Sequence, residues 1–523
     1  HCWRCKNPIA FRATEQWFLG VGHEGLRAKL LQAVDEVEWI PAEGKARISA
    51  MVAGRPDWCI SRQRVWGTPI PILTCPCRKR LDSDEVLKSL VEESAKNGAG
   101  FWFENWGRKI LAPGAKGDGV EWGFLPKGTK CSACQGTEFT RETDILDVWV
   151  DSGASWLAVL SEDQRPCDLY LEGSDQHRGW FQSSLVLSVA ITGRAPYKSV
   201  LTHGFVLDAQ GRAMHKSAGN VVGPQEVIGK LGADVLRLWV AFSDYGDDIR
   251  ISDKLLEVPT DAYRRVRNTL RYLLGNLSDY DGSRPAELPE LERWVLHRLA
   301  GLQEAVLEDY RKFRYRLAAR SLVDFCAQDL SAHYLDVLKD RLYTFAPNHP
   351  ERRAAQWVMR EVLVRLLGLI SPILSFTAEE AWQELRKLEP SRPESVFLED
   401  LPAVDASWKD DALAAKWEKV QAVREAALKA LEEARAARRI GSSLQAKVVL
   451  SGGETGNLPG LSWPEILLVS GAQVRGGTGE LKVEVLAADG AKCPRCWRWQ
   501  ADIGSAPAHP ELCGRCASHL SHV

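Results

Sequence analysis

The segment that decides the fold is Tyr170-Leu171-Glu172-Gly173-Ser174-Asp175-Gln176-His177-Arg178-Gly179-Trp180-Phe181. It follows an apolar run and carries carboxylates, an amide, an imidazole and a guanidinium where the pattern changes from strand to helix. Carboxylates and amides can hold an ammonium and hydroxyls, and Gly173 lets the backbone approach a ligand closely. The segment therefore predicts a ligand site, although Ser174 or Asp175 could instead cap the following helix.

Around this segment, residues 11–252 alternate short apolar runs with helical stretches, which is typical of α/β architecture. The pattern predicts one strand over 200–207 and a turn over 208–211. A helix is then expected to open at Gly223-Pro224 and to carry an apolar stripe as far as Trp239. Residues 212–222 would form a loop between that strand and that helix.

Two more segments have compositions that favour a functional role. In the loop, Lys216 and Ser217 follow His215, and an ammonium next to a hydroxyl in a Gly-containing loop suits polyphosphate binding. Residues 144–153 predict an acid-rich strand that carries Trp149. Such an indole, taken alone, is more often a core residue than a pocket wall.

Residues 255–439 change to long amphipathic helices, which predicts a helical bundle. Its first segment carries four arginines that could meet phosphates, with Tyr263 and Tyr272 between them for stacking on bases. A merely solvated face is the alternative. The arginines are Arg264, Arg265, Arg267 and Arg271.

Thirteen cysteines, ten of them in close pairs, predict metal sites. Cys493-x2-Cys496 and Cys513-x2-Cys516 have the spacing of a four-thiolate zinc site, whose negative charge Arg495, Arg498 and Arg515 could offset. A second zinc site, in a zinc ribbon, is expected from Cys75, Cys77, Cys131 and Cys134. Cys2 and Cys5 would be half of another site. Cys59, Cys167 and Cys326 are expected to be small core residues.

The composition is that of a globular protein. Of 523 residues, 45% are hydrophobic and 26% charged, and 67 Lys and Arg nearly balance 69 Asp and Glu. Bulk disorder is therefore excluded, and a formal charge of -2 excludes a basic field over the whole chain. No apolar run reaches the ~20 residues of a membrane span, and no secretory or lipidation pattern opens the sequence. We expect a cytoplasmic enzyme or binding protein.

Taken in order, these segments resemble class I aminoacyl-tRNA synthetases of the bacterial isoleucyl type. The resemblance runs over nearly the whole chain, and valyl and leucyl relatives share some of its pieces. The fold class it implies is a multidomain one, beginning with the second half of a Rossmann-type α/β catalytic domain. The segments that carry the resemblance are residues 1–6, 12–18, 60–67 and the three segments above, together with the terminal zinc knuckles.

The resemblance implies four modules. Residues 1–252 would form the second half of the catalytic domain, with a zinc-ribbon insertion over about 73–141. Residues 253–440 would be a helical anticodon-binding domain. Residues 441–488 would be a small α/β segment, and residues 489–523 a C-terminal zinc-binding module.

The implied activity is isoleucine-tRNA ligation. ATP with Mg²⁺ would activate L-isoleucine to an adenylate with release of pyrophosphate, and the isoleucyl group would then esterify the 3' end of tRNA(Ile) with release of AMP. Glu172, with Gly173, Asp175 and Gln176, would bind the ammonium and ribose of the adenylate. Trp149 and Trp180 would wall the isoleucine side chain, and His203 and Gly204 would border the adenine. A monomer is expected.

Lys216 would stabilise the leaving pyrophosphate, with Ser217 and His215 beside it. We expect Lys216 and Glu172 to approach one activated substrate from opposite ends. The loop departs from the family pattern, because Ala213 stands at the position of its first lysine and His215 at that of its first serine. ATP would therefore be held less tightly, unless His215 or Arg212 compensates.

The His-x-Gly-His signature of the family occurs nowhere in the 523 residues, and the chain opens on His1. We therefore expect a C-terminal portion, without the N-terminal half of the catalytic domain or the editing domain, that does not form adenylate alone. The main alternative is a non-catalytic tRNA-binding zinc protein derived from a synthetase. A zinc-ribbon DNA-binding factor is less favoured, since no recognition helix stands out.

Overall fold

The computed structural model describes residues 1–2, 5–10, 13–216, 219–453, 455, 458–477 and 479–520. The chain divides into two compact units. The first unit comprises His1–Phe205 and Gly246–Asp248, and the second comprises Val206–Tyr245 and Ile249–Val523. None of the helices in these described ranges combines the length and apolar character of a membrane span.

The first unit has mixed α/β structure. Its strands are β1 Phe18–Leu19, β2 Glu38–Ile40, β3 Trp58–Cys59, β4 Ser61–Arg62, β5 Leu73–Thr74, β6 Arg80–Leu81, β7 Lys109–Leu111, β8 Gly119–Glu121, β9 Glu138–Arg141, β10 Ile145–Leu146, β11 Cys167–Gly173 and β12 Tyr197–His203. Its helices are α1 Leu26–Asp35, α2 Glu43–Ala53, α3 Asp84–Asn97, α4 Val148–Gly153, α5 Ser155–Val159 and α6 Trp180–Thr192.

Two sheets organise these elements. β11, β12 and β2 form a parallel sheet in that order, and α1, α2 and α6 cover it with an apolar core that includes Phe181, Leu185 and Val200. Strands β5 to β9 form a separate, mostly antiparallel sheet with the order β6-β5-β9-β7-β8. That second sheet has its own core around the fully buried Trp102 and Phe139.

The second unit is largely helical. Its helices are α7 Pro224–Leu231, α8 Ala233–Phe242, α9 Asp253–Gly275, α10 Glu290–Arg311, α11 Tyr315–Asp324, α12 Leu335–Thr344, α13 Pro350–Ile370, α14 Ser375–Leu388, α15 Asp411–Ala436, α16 Trp463–Ile466 and α17 Gly514–Leu520. Its strands are β13 Val206–Leu207, β14 Ile249–Arg250, β15 Ala446–Ser451, β16 Gly471–Arg475, β17 Lys482–Ala487, β18 Ala491–Lys492 and β19 Trp499–Gln500.

One continuous core joins the bundle to the small sheet β16-β15-β17, because apolar residues of β15 such as Val448 and Leu450 lie in the same cluster as Trp382 and Trp417. A π-helix over Phe325–Tyr334 links α11 directly to α12. Just beyond it, the buried Arg341 pairs with Glu292 of α10 at 3.1 Å and Glu465 of α16 at 3.0 Å. This guanidinium therefore ties the small α/β segment to the bundle.

The structure corrects three sequence expectations about secondary structure. Most of 144–153 is helix α4 rather than strand, because Asp147 accepts a hydrogen bond from the backbone N–H of Trp149 and caps it. The single helix predicted from Gly223 is two helices, separated at Gly232, whose φ of +89° ends α7. The strand predicted over 200–207 is two short strands, β12 and β13.

Candidate functional site

Glu172 and Gly173 end strand β11, and their neighbours in the parallel ladder, Thr202 and His203, end β12. Ligands of open α/β sheets bind outside such carboxyl ends. Glu172 is exposed there, and a 3-10 turn over Ser174–His177 follows it directly. A side chain at position 173 would place its Cβ 2.8 Å from an Asp175 carboxylate oxygen, so a larger residue there would displace the Asp175 carboxylate.

His177 holds this turn in place through its buried ring. Its ring is buried, its Nδ1 donates to the Ser174 carbonyl at 3.0 Å, and it stacks on Trp39 with 6.0 Å between ring centroids. Burial lowers the pKa of His177, and the positive charge of Arg47 lowers it further. The imidazole is therefore a neutral support for the turn. Sequence reasoning missed this role, and the only available signal was one imidazole among polar neighbours.

Gln176 caps helix α6, rather than Ser174 or Asp175 as the sequence suggested. Its side-chain oxygen accepts from the backbone N–H of Trp180 at 2.8 Å, while its Nε2 donates to Asp175 at 3.1 Å. Both ends of the amide are thus engaged within the segment. Asp175 itself is exposed, like Glu172.

The two predicted pocket tryptophans lie on α4 and α6, which pack together. Trp180 stacks on Tyr170 with 4.0 Å between centroids and donates from Nε1 to the Ser152 carbonyl at 2.9 Å. Trp149 is 41% exposed, and its ring edge would lie 2.8 Å from a Cβ at Gly179. The structure therefore brings Trp149 beside the turn that carries Gln176, while Trp180 is anchored in the core.

His203 is the last residue of β12, and Gly204 follows it. His203 Nδ1 lies 2.7 Å from the Gly204 carbonyl oxygen. A Cβ at Gly204 would collide with the backbone of Asp247. Glycine at this position therefore allows the two backbone segments to approach each other closely. The next residue, Phe205, donates from its backbone N–H to Asp248 at 2.7 Å.

The loop with Lys216 belongs to the second unit. Its base is built on Asp208, which accepts from Asn220 Nδ2 at 2.9 Å, from the backbone N–H of Arg212 at 2.8 Å and from the Arg212 guanidinium. These hydrogen bonds, the one from Asn220 first, hold the pKa of Asp208 well below its usual range. Asn220 also accepts from the backbone N–H of His215, and His215 itself is exposed.

The contacts of Arg212 decide whether it can replace the lysine that the loop lacks at position 213. Arg212 is paired with Asp208, so it is already engaged in the structure of the loop. Lys216 is exposed. Ser217 lies outside the described residues. Glu172 and Lys216 lie in different units, so their approach to one substrate stays a prediction.

Two cysteine quartets are assembled, one in each unit. In the first, Sγ–Sγ distances are 3.4 Å for Cys75 and Cys134 and 3.5 Å for Cys77 and Cys131. The four ligand atoms of each quartet lie within 4.8 Å of one another. Sulfurs bound tetrahedrally at about 2.3 Å from zinc would lie about 3.8 Å apart, so the quartet fits such an ion.

The second quartet consists of Cys493, Cys496, Cys513 and Cys516, and all four side chains are buried. Cys496 Sγ lies 3.9 Å from Cys513 Sγ, again the separation expected around zinc. Cys2 and Cys5 belong to neither quartet. Of the three predicted core cysteines, only Cys326 is fully buried.

The four arginines of α9 have different surroundings. Arg267 makes two hydrogen bonds to Glu380 of α14, at 2.6 and 2.7 Å, so it is engaged within the bundle. Arg264, Arg265 and Arg271 are exposed, and Arg264 lies 3.3 Å from Asp261. Tyr263 and Tyr272, which could stack on bases, are half-buried and pack against the bundle core, so base stacking stays a prediction.

Family models match three parts of the chain. Residues 5–252 match tRNA synthetases class I (I, L, M and V). Residues 292–450 match the anticodon-binding domain of tRNA ligase, and residues 490–518 match the zinc finger found in FPG and IleRS. The chain therefore contains a class I synthetase domain, an anticodon-binding domain and a zinc finger, which confirms the predicted mixture of α/β and helical modules.

Curated relatives extend this similarity over the whole chain. The chain is 46% identical over 547 residues to isoleucine–tRNA ligase of Carboxydothermus hydrogenoformans, which covers 100% of this chain and 57% of the relative. It is 46% identical over 532 residues to the ligase of Caldicellulosiruptor saccharolyticus, covering 99% of this chain and 56% of the relative. The chain thus spans somewhat more than half the length of these relatives.

Among solved structures, Mycobacterium tuberculosis methionyl-tRNA synthetase bound by methionyl-adenylate has a similar fold. The TM-score is 0.51 at 19% sequence identity, over 75% of this chain and 67% of that chain. A second structure of that enzyme with methionyl-adenylate gives a TM-score of 0.50 at 18% identity, covering 76% of this chain and 71% of that one.

Proposed function

We propose that this chain, whose residues 5–252 form a class I synthetase domain, is part of an isoleucine–tRNA ligase that activates isoleucine with ATP and transfers it to tRNA(Ile). The observation that carries the proposal is the 45–46% identity to isoleucine–tRNA ligases along essentially the whole chain. The partners would be L-isoleucine, ATP with Mg²⁺ and the tRNA.

In this proposal the exposed carboxylates of Glu172 and Asp175 bind the substrate ammonium and ribose. Gln176 acts by holding Asp175, since its amide bonds Asp175 and Trp180. Trp149 borders the isoleucine side chain, with Trp180 behind it, and His203 and Gly204 border the adenine. Support comes from the position of Glu172 and His203 at the carboxyl ends of β11 and β12.

The loop of the second unit would meet the pyrophosphate. Lys216 would neutralise the charge that develops on the leaving group, with His215 and Ser217 beside it. Because Arg212 is engaged with Asp208, we propose that Lys216 is the principal cation of this loop. ATP would accordingly be held less tightly than by a loop with two lysines.

Both cysteine quartets are proposed to bind Zn²⁺, the first within a zinc ribbon inserted over about 73–141. Supporting this, all strands of the sheet β6-β5-β9-β7-β8 lie between Leu73 and Arg141. In each quartet the four thiolates would hold the ion tetrahedrally, and its role there would be to stabilise a small module.

The amino-acid site can be tested by titrating the chain with a non-hydrolysable isoleucyl-adenylate analogue in a calorimeter. Glu172→Gln should weaken binding about 10- to 100-fold, the cost of losing a charged hydrogen bond. Asp168→Asn is the matched control, because Asp168 lies on the same strand but pairs with Lys198 at 2.7 Å. Equal affinities for Glu172→Gln and the wild type would contradict the assignment.

The tRNA site is tested separately by filter binding of tRNA(Ile) against another tRNA. Combined Arg264→Ala and Arg265→Ala should weaken binding and lower the salt dependence by about one unit of slope for each lost phosphate contact. Arg320→Ala, an exposed arginine of α11, is the control. A chain that binds tRNA but not the adenylate analogue would favour the non-catalytic alternative.

A further inference from the structure

The terminal cysteine quartet is fastened to the bundle by one carboxylate. Asp340, in the last turn of α12, is 13% exposed. It accepts two hydrogen bonds from Arg515, at 2.5 and 2.9 Å, and lies 3.0 Å from the guanidinium of Arg498. Two arginines near the cysteines, for which the sequence predicted only charge compensation, thus converge on a residue more than 150 positions earlier in the chain.

The two arginines come from different knuckles of the quartet. Arg498 follows the first cysteine pair, while Arg515 lies between Cys513 and Cys516 of the second pair. The positive charge of Arg515 also lies beside the thiol of Cys496 in the first pair. Asp340 can hold both arginines only while the two knuckles stay together, which is the condition that a shared metal ion imposes.

Two further contacts join the terminal module to the end of α12. Arg495 donates to the Thr344 carbonyl at 3.1 Å, at the end of α12 where helix carbonyls lack partners of their own. His519 stacks on Phe345 with 4.3 Å between ring centroids. The terminal module therefore rests on the last turn of α12 through side chains from both knuckles and from α17.

We infer that Asp340 is a positioning residue for the terminal metal site, and that zinc retention and docking of the terminal module on α12 depend on each other. The inference rests on the proposed zinc binding. Four thiolates around Zn²⁺ carry a formal charge of -2, and Arg515 lies between that charge and the carboxylate. Without Asp340 the guanidiniums lose the anion that orients them, and such outer-shell losses weaken metal sites about 10- to 100-fold.

The test is the rate of zinc release to a chromogenic chelator from the full chain. A Cys134→Ser background disables the other quartet, so that one site is followed. Asp340→Asn should release zinc at least about 10-fold faster than that background. Asp336→Asn is the matched control, because Asp336 lies on the same helix and pairs with Lys339 at 2.7 Å. It should release zinc at the background rate.

A second variant shows whether faster zinc release comes from loss of the contact with Asp340 or from damage to the bundle. Arg498→Gln removes one of the two arginines that Asp340 holds and should also speed release. The double variant with Asp340→Asn should be no faster than Asp340→Asn alone, because Arg498→Gln removes an interaction that Asp340→Asn already lacks. Helical circular dichroism shows whether the bundle remains folded in each.

The reciprocal measurement follows hydrogen exchange in the last turn of α12, over 340–344. Zinc removal should speed exchange there in the wild-type chain but add little in Asp340→Asn, because coupling between two sites is mutual. Release rates within twofold of the background for both Asp340→Asn and Arg498→Gln would overturn the inference and leave zinc binding intact. A wild-type chain without zinc at Cys493–Cys516 would overturn the zinc proposal as well.

Discussion

His333 should make the helical unit sensitive to mild acid. The residue lies in the π-helix, 2% exposed, with ring centroids 4.9 Å from Trp294 and 5.6 Å from Trp417. Its Nδ1 accepts a hydrogen bond from the Gln421 amide at 2.5 Å, which suits the neutral ring. Burial, helped by the positive charge of Arg424, lowers the pKa of His333 to about 3.

The sign and size of the effect follow from linkage. In the unfolded chain the histidine takes up a proton below about pH 6.5, whereas the folded chain keeps it neutral down to about pH 3. The unfolded state therefore gains protons first, and stability is full above pH 6.5 and falls between pH 6.5 and 3. At pH 5 the loss due to this group is about 2 kcal/mol.

Urea unfolding followed by far-ultraviolet circular dichroism at pH 7 and pH 5 measures this loss. The wild-type chain should lose about 2 kcal/mol more than His333→Gln over that interval, since the variant has no imidazole to protonate. His215→Gln, which replaces an exposed histidine of the same unit, should keep the wild-type dependence. Parallel pH dependence in wild type and His333→Gln would refute the reasoning.

Three further outcomes are expected. Asp234→Ala should cost about 1–3 kcal/mol in urea unfolding, because its carboxylate accepts from the backbone N–H groups of Thr377 and Phe376 at the start of α14; a loss below the measurement error would contradict this. Ala213→Lys should tighten ATP binding in equilibrium dialysis by restoring a second loop cation, and no gain would count against it. Gly179→Ala should weaken binding of the adenylate analogue, because the new Cβ would collide with Gln176 Oε1 and with the Trp149 ring; unaltered affinity would contradict this.

The cysteine quartets illustrate what local sequence can predict. Two cysteines at Cys-x2-Cys or Cys-x-Cys spacing can bind one metal ion from a single turn. Such pairs therefore predict a metal site without knowledge of the fold. The partnership of the two pairs across 54 residues, Cys77 to Cys131, was also predicted, because each pair is set among turn-forming residues such as Pro76 and Gly136. The strand–turn–helix around Glu172 was equally readable, since an apolar run, a Gly and a polar cluster occur in order.

Other features depend on contacts that no local pattern contains. Asp340 receives arginines more than 150 positions away, and Arg341 next to it binds carboxylates of α10 and α16. The helix at Val148–Gly153 was misread because Val148, Trp149 and Val150 are residues that favour strands, whereas the cap at Asp147 decides the outcome. Long-range ion pairs and caps are energetically decisive but leave no periodic signal.

The hydrogen bonds of Gln176 indicate which residues of the candidate site would contact a substrate and which would orient those residues. An amide that accepts from Trp180 and donates to Asp175 is held in one orientation, and one role of Gln176 would be to fix the Asp175 carboxylate. The buried, neutral His177 holds the same turn from the other side. A cationic ammonium is best met by carboxylates whose orientation is already settled, because ordering them during binding would cost entropy. The residues that touch no substrate would therefore determine how strongly Glu172 and Asp175 can bind one.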